Sequence, residues 1–152
     1  MDELIRAKKR ALYLLTDMDR TEKELYEKLK KSGYPESVIS ETMAYVRGFG
    51  YLDDDKYARH YIEAFCDRKS KTRISFEMTK KGLSRETIEK AFSEAGDYSE
   101  SELIRRLALK KAKTLNMDDP GSRQKIAAFL ARQGFHTGEI LSVMEETFRC
   151  QA

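Results

Sequence analysis

One spacing pattern of hydroxyl, apolar and glycine residues occurs three times in this chain of 152 residues. A hydroxyl residue is followed by apolar residues four and eight positions later, then by a glycine–apolar pair, an isoleucine and a last apolar residue. The copies begin at Thr21, Ser70 and Ser122, spaced by 49 and 52 residues, and they align without insertion. A period in this range is typical of an array of similar modules. The matching later positions are Leu25, Leu29, Gly33-Tyr34, Ile39 and Met43; Ile74, Met78, Gly82-Leu83, Ile88 and Phe92; and Ile126, Leu130, Gly134-Phe135, Ile140 and Met144.

Each part of the pattern corresponds to a step in building a helical pair. The hydroxyl is an N-cap, and apolar residues four apart share one face of the helix that follows. In the first copy, Thr21 and Glu24 have the spacing of a capping box. The glycine takes the left-handed backbone that ends the helix, and the apolar residue after it folds back onto the last turn. Two short helices cannot bury both of their apolar faces, so each copy needs a third helix.

The sequence therefore predicts an all-α chain of three tandem three-helix repeats in an elongated, curved array. We expect the repeats to span residues 1–52, 53–96 and 97–152. In the first repeat, residues 3–17 supply the third helix, with an apolar stripe of Leu4, Ala11, Leu12 and Leu15. The same helix carries Arg6, Lys9, Arg10 and Tyr13 on another face, and we interpret that face as a solvated surface.

Composition limits the possible classes of protein. Charged residues make up 36% of the chain and apolar residues 40%, which indicates a soluble, helix-rich protein. No apolar run is long enough to span a membrane, the chain opens without a signal peptide, and two cysteines among many charges suggest reduced thiols. These features predict a cytoplasmic location. The net charge of +3 is shared evenly among the repeats, so a nucleic-acid surface must come from the arrangement of charges on helix faces.

The sequence lacks the motifs of common catalytic and cofactor sites. It has no glycine-rich phosphate loop, no metal-ligand spacing and no Cys-x-x-Cys pair. His60 and His136 lie in different copies, and Cys150 has no triad partners nearby. Asp53, Asp54 and Asp55 suggest a divalent metal, but adjacent acids at a helix start point apart, which favours capping. We therefore expect no enzyme activity and no cofactor.

Three groups of cations are candidates for binding DNA or a partner. A basic turn at a helix start opposes the helix dipole, so local helix stability does not explain it. A second group ends the helix that follows, where dipole complementarity is the alternative. The third lines one face of the helix at 99–115, and a solvated face is the alternative for it. The candidates are Arg68, Lys69, Lys71 and Arg73; Lys80 and Lys81; and Arg105, Arg106, Lys110 and Lys113.

The junction Gly50-Tyr51-Leu52-Asp53-Asp54-Asp55-Lys56-Tyr57-Ala58, together with the three repeats, closely resembles the RecX family of bacterial recombination regulators. Three other segments carry the same resemblance. They are Arg10-Ala11-Leu12-Tyr13-Leu14-Leu15, Arg20-Thr21-Glu22-Lys23-Glu24-Leu25, and Arg73-Ile74 with Lys81-Gly82-Leu83. It covers nearly the whole chain. Before Arg73 the family usually has a glycine and an aromatic residue, whereas this chain has Lys69-Ser70-Lys71-Thr72.

The resemblance implies a function that composition alone does not. RecX-like proteins modulate the RecA recombinase: they bind along the groove of the RecA–DNA filament and affect its growth, ATP hydrolysis and strand exchange. They also bind single- or double-stranded DNA without sequence preference. We therefore expect a monomeric, non-enzymatic partner of the RecA filament that takes part in DNA repair, recombination and the SOS response. The alternative is a stand-alone DNA-binding protein that uses helix-turn-helix units in the major groove.

Overall fold

The computed structural model describes residues 2–96 and 98–149, and over these ranges the chain forms nine helices and no strand. The predicted all-α class is confirmed. The helices are α1 (Asp2–Asp17), α2 (Glu22–Lys31), α3 (Glu36–Gly48), α4 (Asp54–Phe65), α5 (Lys71–Lys80), α6 (Arg85–Ala95), α7 (Glu100–Ala112), α8 (Ser122–Arg132) and α9 (Thr137–Phe148). The elongated, curved arrangement of the repeats stays a prediction. Cys150 lies outside the described residues.

The repeated pattern marks the buried positions of all three copies. Every hydroxyl and apolar residue of the pattern is buried except Tyr34, which is half-buried. Leu25, Ile74 and Ile126, the first apolar positions of the copies, are all fully buried. Removing a large apolar side chain from water contributes about 1.5–3 kcal/mol. These positions are therefore the main source of cohesion in each copy.

The helix ends have the predicted geometry. Gly33, Gly82 and Gly134 have φ of +91°, +95° and +95°, which favours glycine because other residues clash there. The amide of the next residue donates to the carbonyl five positions earlier, for example Leu83 to Met78 at 3.1 Å, which is the Schellman geometry. Thr21 forms the capping box with Glu24. Each copy thus contains a helix, a glycine turn and a second helix.

The predicted N-cap at Ser122 is wrong. Helix α8 begins at Ser122, its N-cap is Gly121, and the Ser122 hydroxyl donates to the carbonyl of Asn116. The Ser122 amide is also satisfied within the preceding loop, by the carbonyl of Asp119 at 3.1 Å. Because the loop uses both groups of Ser122, the helix starts one residue earlier than in the pattern.

The apolar stripe of α1 also differs from the prediction. The buried residues are Ala7, Ala11 and Leu14, whereas Leu4, Leu12 and Leu15 are half-buried. Alanines four residues apart form a smooth face, which lets α1 lie close to its neighbour α3. The longer leucines then lie at the edges of the contact.

The chain divides into two compact units, and helices α4 and α5 each contribute a part to both. The first unit contains residues 1–61 and 77–94, and the second contains residues 62–76 and 95–152. Each unit has its own apolar cluster. The cluster of the first unit consists of Ala11, Leu14, Leu25, Leu29, Ile39, Met43, Val46 and Leu52. The cluster of the second consists of Leu103, Ile104, Leu107, Ala108, Ile126, Leu130, Phe135, Ile140, Val143, Met144 and Phe148.

Within the first unit, the start of α2 is held by residues of the second copy, and we call this contact the first joint. The Thr21 hydroxyl donates to the carbonyl of Lys81 at 2.6 Å. The Glu22 amide donates to Asp54 Oδ1 at 2.9 Å. The side chain of Lys23 lies directly against Gly82. The amide donors at the start of a helix have no partner within it, and here a carboxylate accepts one of them.

The second unit contains an equivalent second joint, one repeat further along the chain. The Ser70 amide donates to the carbonyl of Gln133 at 3.0 Å. The Lys71 amide donates to Glu100 Oε1 at 2.8 Å. Arg73 lies against Gly134 and donates from its guanidinium to the carbonyl of Arg132 at 2.6 Å. In both joints an acid and a glycine turn of the later copy hold a helix start of the earlier copy.

Candidate nucleic-acid interface

The ten candidate cations predicted from the sequence are distributed over both units. Eight of them, on the α4–α5 turn, the start of α5 and α7, belong to the second unit. Lys80 and Lys81 belong to the first unit.

The turn between α4 and α5 is basic and supported by aromatic rings. Lys69 Nζ lies 4.1 Å from the centre of the Phe65 ring, and the Arg68 guanidinium lies 5.3 Å from it. The Tyr98 hydroxyl donates to the carbonyl of Lys69. Partial burial and the nearby Glu100 carboxylate raise the pKa of Tyr98 above its usual range. This hydroxyl therefore stays protonated and holds the turn against the segment before α7.

One face of α7 forms an open groove of about 520 Å³. Glu102 is the only acid among the residues that line the groove, and it pairs with Arg105 at 3.3 Å. In the part of the chain that the structure describes, no carboxylate lies within ion-pair distance of Arg106, Lys110 or Lys113. The residues that line the groove are Glu102, Arg105, Arg106, Leu109, Lys110 and Lys113.

The α7 groove lies beside the basic turn. The Arg106 guanidinium donates to the carbonyl of Asp67 at 3.3 Å, which connects the middle of α7 to the end of α4. We use the term basic strip for Arg68, Lys69, Arg106, Lys110 and Lys113. Lys110 and Lys113 follow Arg106 at intervals of four and three residues, so all three share one helix face. Cations without a carboxylate partner along one face of a helix are suited to a row of phosphates.

Other nominated cations have roles within the fold. Arg73 contributes to the second joint, where its guanidinium donates to Arg132, and the Lys71 amide contributes to the same joint. This contact gives a physical reason for a cation at a helix start. In the first unit, Lys81 Nζ lies 3.7 Å from Glu24 Oε2 and 5.9 Å from the centre of the Tyr61 ring. Lys80 is the last residue of α5, where the negative end of the helix dipole stabilises a cation.

The sequence did not nominate an exposed aromatic pair at the junction between the first two copies. Phe49 and Tyr51 are 62% and 58% exposed, and their ring centres lie 6.0 Å apart. Tyr45 packs edge-on against Phe49 at 5.0 Å. The signal was present in Gly48-Phe49-Gly50-Tyr51, because a tight turn between glycines cannot direct two rings into the core.

The three consecutive acids have three different partners, as capping predicts. Asp53 accepts from the Lys56 amide at 3.2 Å, Asp54 contributes to the first joint, and Asp55 pairs with Lys90 at 3.3 Å. Partial burial raises the pKa of Asp54, although the bond from Glu22 opposes that shift. Residues 2–96 and 98–149 contain no group of three or more possible metal ligands.

The rival major-groove hypothesis needs a basic or amide-bearing reading helix. The exposed residues early in α3 are Glu36, Ser37, Ser40 and Glu41. Carboxylates on that face repel phosphates, and none of these side chains reads guanine with paired donors. The face of α3 is therefore unsuited to the major groove.

Comparison with known families identifies each copy. The family models for the RecX first, second and third three-helix domains match residues 7–45, 53–91 and 97–144, in that order along the chain. The chain belongs to the RecX family. A protein named "Regulatory protein RecX" from Chlorobium phaeobacteroides is 30% identical over an alignment of 141 residues that covers 91% of each chain. Another of that name, from Clostridium acetobutylicum, is 29% identical over an alignment of 152 residues that covers 97% of this chain and 71% of the relative.

A solved structure supports the same assignment of fold. The crystal structure of RecX from Lactobacillus salivarius superposes with a TM-score of 0.77 at 26% identity, covering 96% of this chain and 97% of that one. The relatives are named regulatory proteins, which supports a regulatory role for this RecX family member. No helix in residues 2–96 and 98–149 is long and apolar enough to cross a membrane.

Proposed function

We propose that this RecX family member is a non-enzymatic modulator of the RecA recombinase. It binds in the groove of the RecA–DNA filament and regulates filament growth, ATP hydrolysis and strand exchange. It acts in the cytoplasm as a monomer without a cofactor. The names of the relatives support the regulatory part of this proposal, and the resemblance to the family supplies RecA as the partner.

The basic strip carries the DNA-binding part of the proposal. Arg106, Lys110 and Lys113 are exposed and have no carboxylate partner among the described residues, so these three can bind phosphates without breaking an ion pair. Arg68 of the strip pairs with Asp67 at 3.4 Å. Lysine and arginine contacts to phosphates release condensed counterions and carry no sequence preference. Arg105 belongs to the same helix as this surface, and the remaining candidate cations, Lys80 among them, add contacts to the filament.

The test of the regulatory role is the ATPase activity of RecA on single-stranded DNA. Substoichiometric amounts of the chain should change the rate of ATP hydrolysis by RecA. No effect over a broad titration, in salt low enough to permit DNA binding, would remove RecA as the partner. A sequence-specific footprint without RecA would favour the major-groove alternative instead.

The test of the basic strip is charge reversal on α7. Replacing Arg106, Lys110 and Lys113 by Glu should weaken binding to single-stranded DNA and leave the far-UV helical signal unchanged. A plot of the logarithm of affinity against the logarithm of salt concentration has a negative slope. Losing three phosphate contacts should make that slope less steep by about two. Fluorescence anisotropy with a labelled oligonucleotide at several salt concentrations measures both quantities.

The matched control reverses Arg6, Lys9 and Arg10 on α1. These residues are exposed, and their reversal changes the net charge by the same amount. Binding that falls equally in both variants would show that total charge, rather than the basic strip, governs DNA affinity. Unchanged binding in the α7 variant would assign its cations to a solvated face.

A further inference from the structure

The two joints share one combination of groups, which we call the host surface, and residues of the same kinds occupy the corresponding positions of the first copy. It consists of an acid at the start of the first helix and of the carbonyl and glycine that follow the second helix. The acids are Glu3, Asp54 and Glu100, each four residues before the first fully buried residue of its helix, which is Ala7, Ala58 or Ile104. The carbonyl–glycine pairs are Ser32-Gly33, Lys81-Gly82 and Gln133-Gly134.

In the second and third copies the host surface holds the start of a helix. Asp54 and Glu100 each accept the amide of the first residue of the held helix, at 2.9 and 2.8 Å. The carbonyls of Lys81 and Gln133 accept a donor from its N-cap residue, at 2.6 and 3.0 Å. A long basic side chain of the first turn, Lys23 or Arg73, covers the glycine. The same chemistry thus occurs twice in one chain.

In the first copy the host surface is uncovered. Glu3, Ser32 and Gly33 are exposed, whereas the corresponding carbonyl–glycine residues of the other copies are half-buried. A methyl group on Gly33 would meet no atom within 4 Å, but one on Gly134 would lie 2.5 Å from Arg73 Cβ. Within residues 2–96 and 98–149, nothing donates a hydrogen bond to the Glu3 carboxylate or to the Ser32 carbonyl.

We propose that the host surface of the first copy docks the start of a helix from a partner protein. The geometry of the two joints defines that helix: a Ser or Thr N-cap, a first residue with a free amide, and a Lys or Arg in the first turn. The Glu3 carboxylate accepts the free amide, the Ser32 carbonyl accepts a donor of the N-cap residue, and the basic side chain crosses Gly33. The positive end of the helix dipole and the basic side chain are both attracted to the Glu3 carboxylate.

The occupant differs from a second copy of this chain. The chain offers α8 as its third helix start, but the Ser122 hydroxyl and amide are already used by Asn116 and Asp119. The guanidinium of Arg123 donates to the carbonyl of Phe148 at 3.1 Å, so it also folds back on its own copy. Ser122, which corresponds to Thr21 and Ser70, therefore has no free donor of the kind that the N-cap residues give in the two joints.

The test uses a synthetic peptide of residues 20–32, which contains the helix start held in the first joint. A lactam between Glu27 and Lys31 keeps the peptide helical without touching its first turn. Titration into the isotope-labelled full chain should give saturable NMR shifts of the Ser32, Gly33 and Tyr34 amides. A control peptide with Glu22→Pro keeps the helix, since proline is tolerated at the first helical position, but lacks the amide that Glu3 accepts.

The control peptide should bind about tenfold more weakly, because a hydrogen bond to a charged acceptor is lost. The Glu3→Gln variant of the chain should weaken binding of the original peptide, whereas Glu41→Gln, also exposed, should not. Equal affinity of the two peptides, or shifts confined to other regions, would overturn the proposal. Sedimentation showing that the chain associates with itself through Glu3 would overturn the choice of partner. None of these outcomes depends on whether RecA is the regulated protein.

Discussion

The joints can be tested by placing a methyl group on two glycines that differ in one respect. Gly33 and Gly82 belong to the same unit, end equivalent helices and have φ of +91° and +95°. A methyl group on Gly33 meets open space, whereas one on Gly82 would lie 2.5 Å from Lys23 Cδ and 3.0 Å from Cγ. Any difference between the two alanine variants therefore reports the contact in the first joint.

The expected costs follow from these contacts. Moving a residue with a Cβ atom into the left-handed region costs about 1–2 kcal/mol, so Gly33→Ala should lower the free energy of unfolding by that amount. Gly82→Ala has the same backbone cost and an additional cost of crowding, which is about 1–3 kcal/mol in packed sites. We expect Gly82→Ala to be the more destabilising variant by at least about 1 kcal/mol.

The measurement is urea denaturation of each variant, followed by far-UV circular dichroism. Amide exchange of Glu22 gives a local measurement, because its amide donates to Asp54 across the first joint. Gly82→Ala should speed that exchange, and Gly33→Ala should leave it unchanged. Equal costs for the two variants, together with unchanged Glu22 exchange, would refute the interpretation of Gly82 as part of a joint.

Two further predictions concern the hydroxyl groups of single residues, Thr21 in the first unit and Tyr98 in the second. Thr21→Val should lower the free energy of unfolding by about 2–4 kcal/mol, because it removes an N-cap and leaves the carbonyl of Lys81 without its donor. Ser84→Ala removes an exposed cap and should cost only about 1 kcal/mol in the same urea experiment. The pKa of Tyr98 is raised in the folded chain, where its hydroxyl donates to Lys69. This bond contributes its full stability at pH values below the ordinary tyrosine pKa. The stability is lost as the pH rises through the pKa of Tyr98 in the folded state. Ultraviolet titration of the folded chain should therefore lose its most alkaline tyrosine transition in Tyr98→Phe, and an unchanged titration would contradict this assignment.

The repeats were predictable from sequence because burial in a short helix leaves a periodic signal. Residues such as Leu25 and Leu29 are placed four apart by helix geometry alone, and glycine is required wherever the backbone turns left-handed. The start of α8 was mispredicted because a hydroxyl residue at the expected position does not show which group it bonds. The Ser122 hydroxyl bonds to the preceding loop, residues 113–121, which is longer than the corresponding loops at 18–21 and 66–70.

The joints were not predictable because they connect residues far apart in the chain. Glu22 and Asp54 are 32 residues apart, and an acid at a helix start has a sufficient local explanation in the dipole. The equivalence of Glu3 to Asp54 was also hidden, since the predicted stripe of α1 contained Ala11 and three leucines but not Ala7, the buried residue four positions after Glu3. Arg73 was nominated for binding because nothing local explained a cation there. Its partner, the carbonyl of Arg132, is 59 residues away.

The acids of the host surface have different roles in different copies of the chain. Asp54 and Glu100 each hold a helix start of the preceding copy, so their contribution is to stability. Glu3 has the same position in its helix but no helix start to hold, and it is exposed. An unpaired surface carboxylate contributes little to stability. A chain built from copies of one module therefore presents, at its first copy, a surface whose preferred ligand is already specified by the contacts inside the chain.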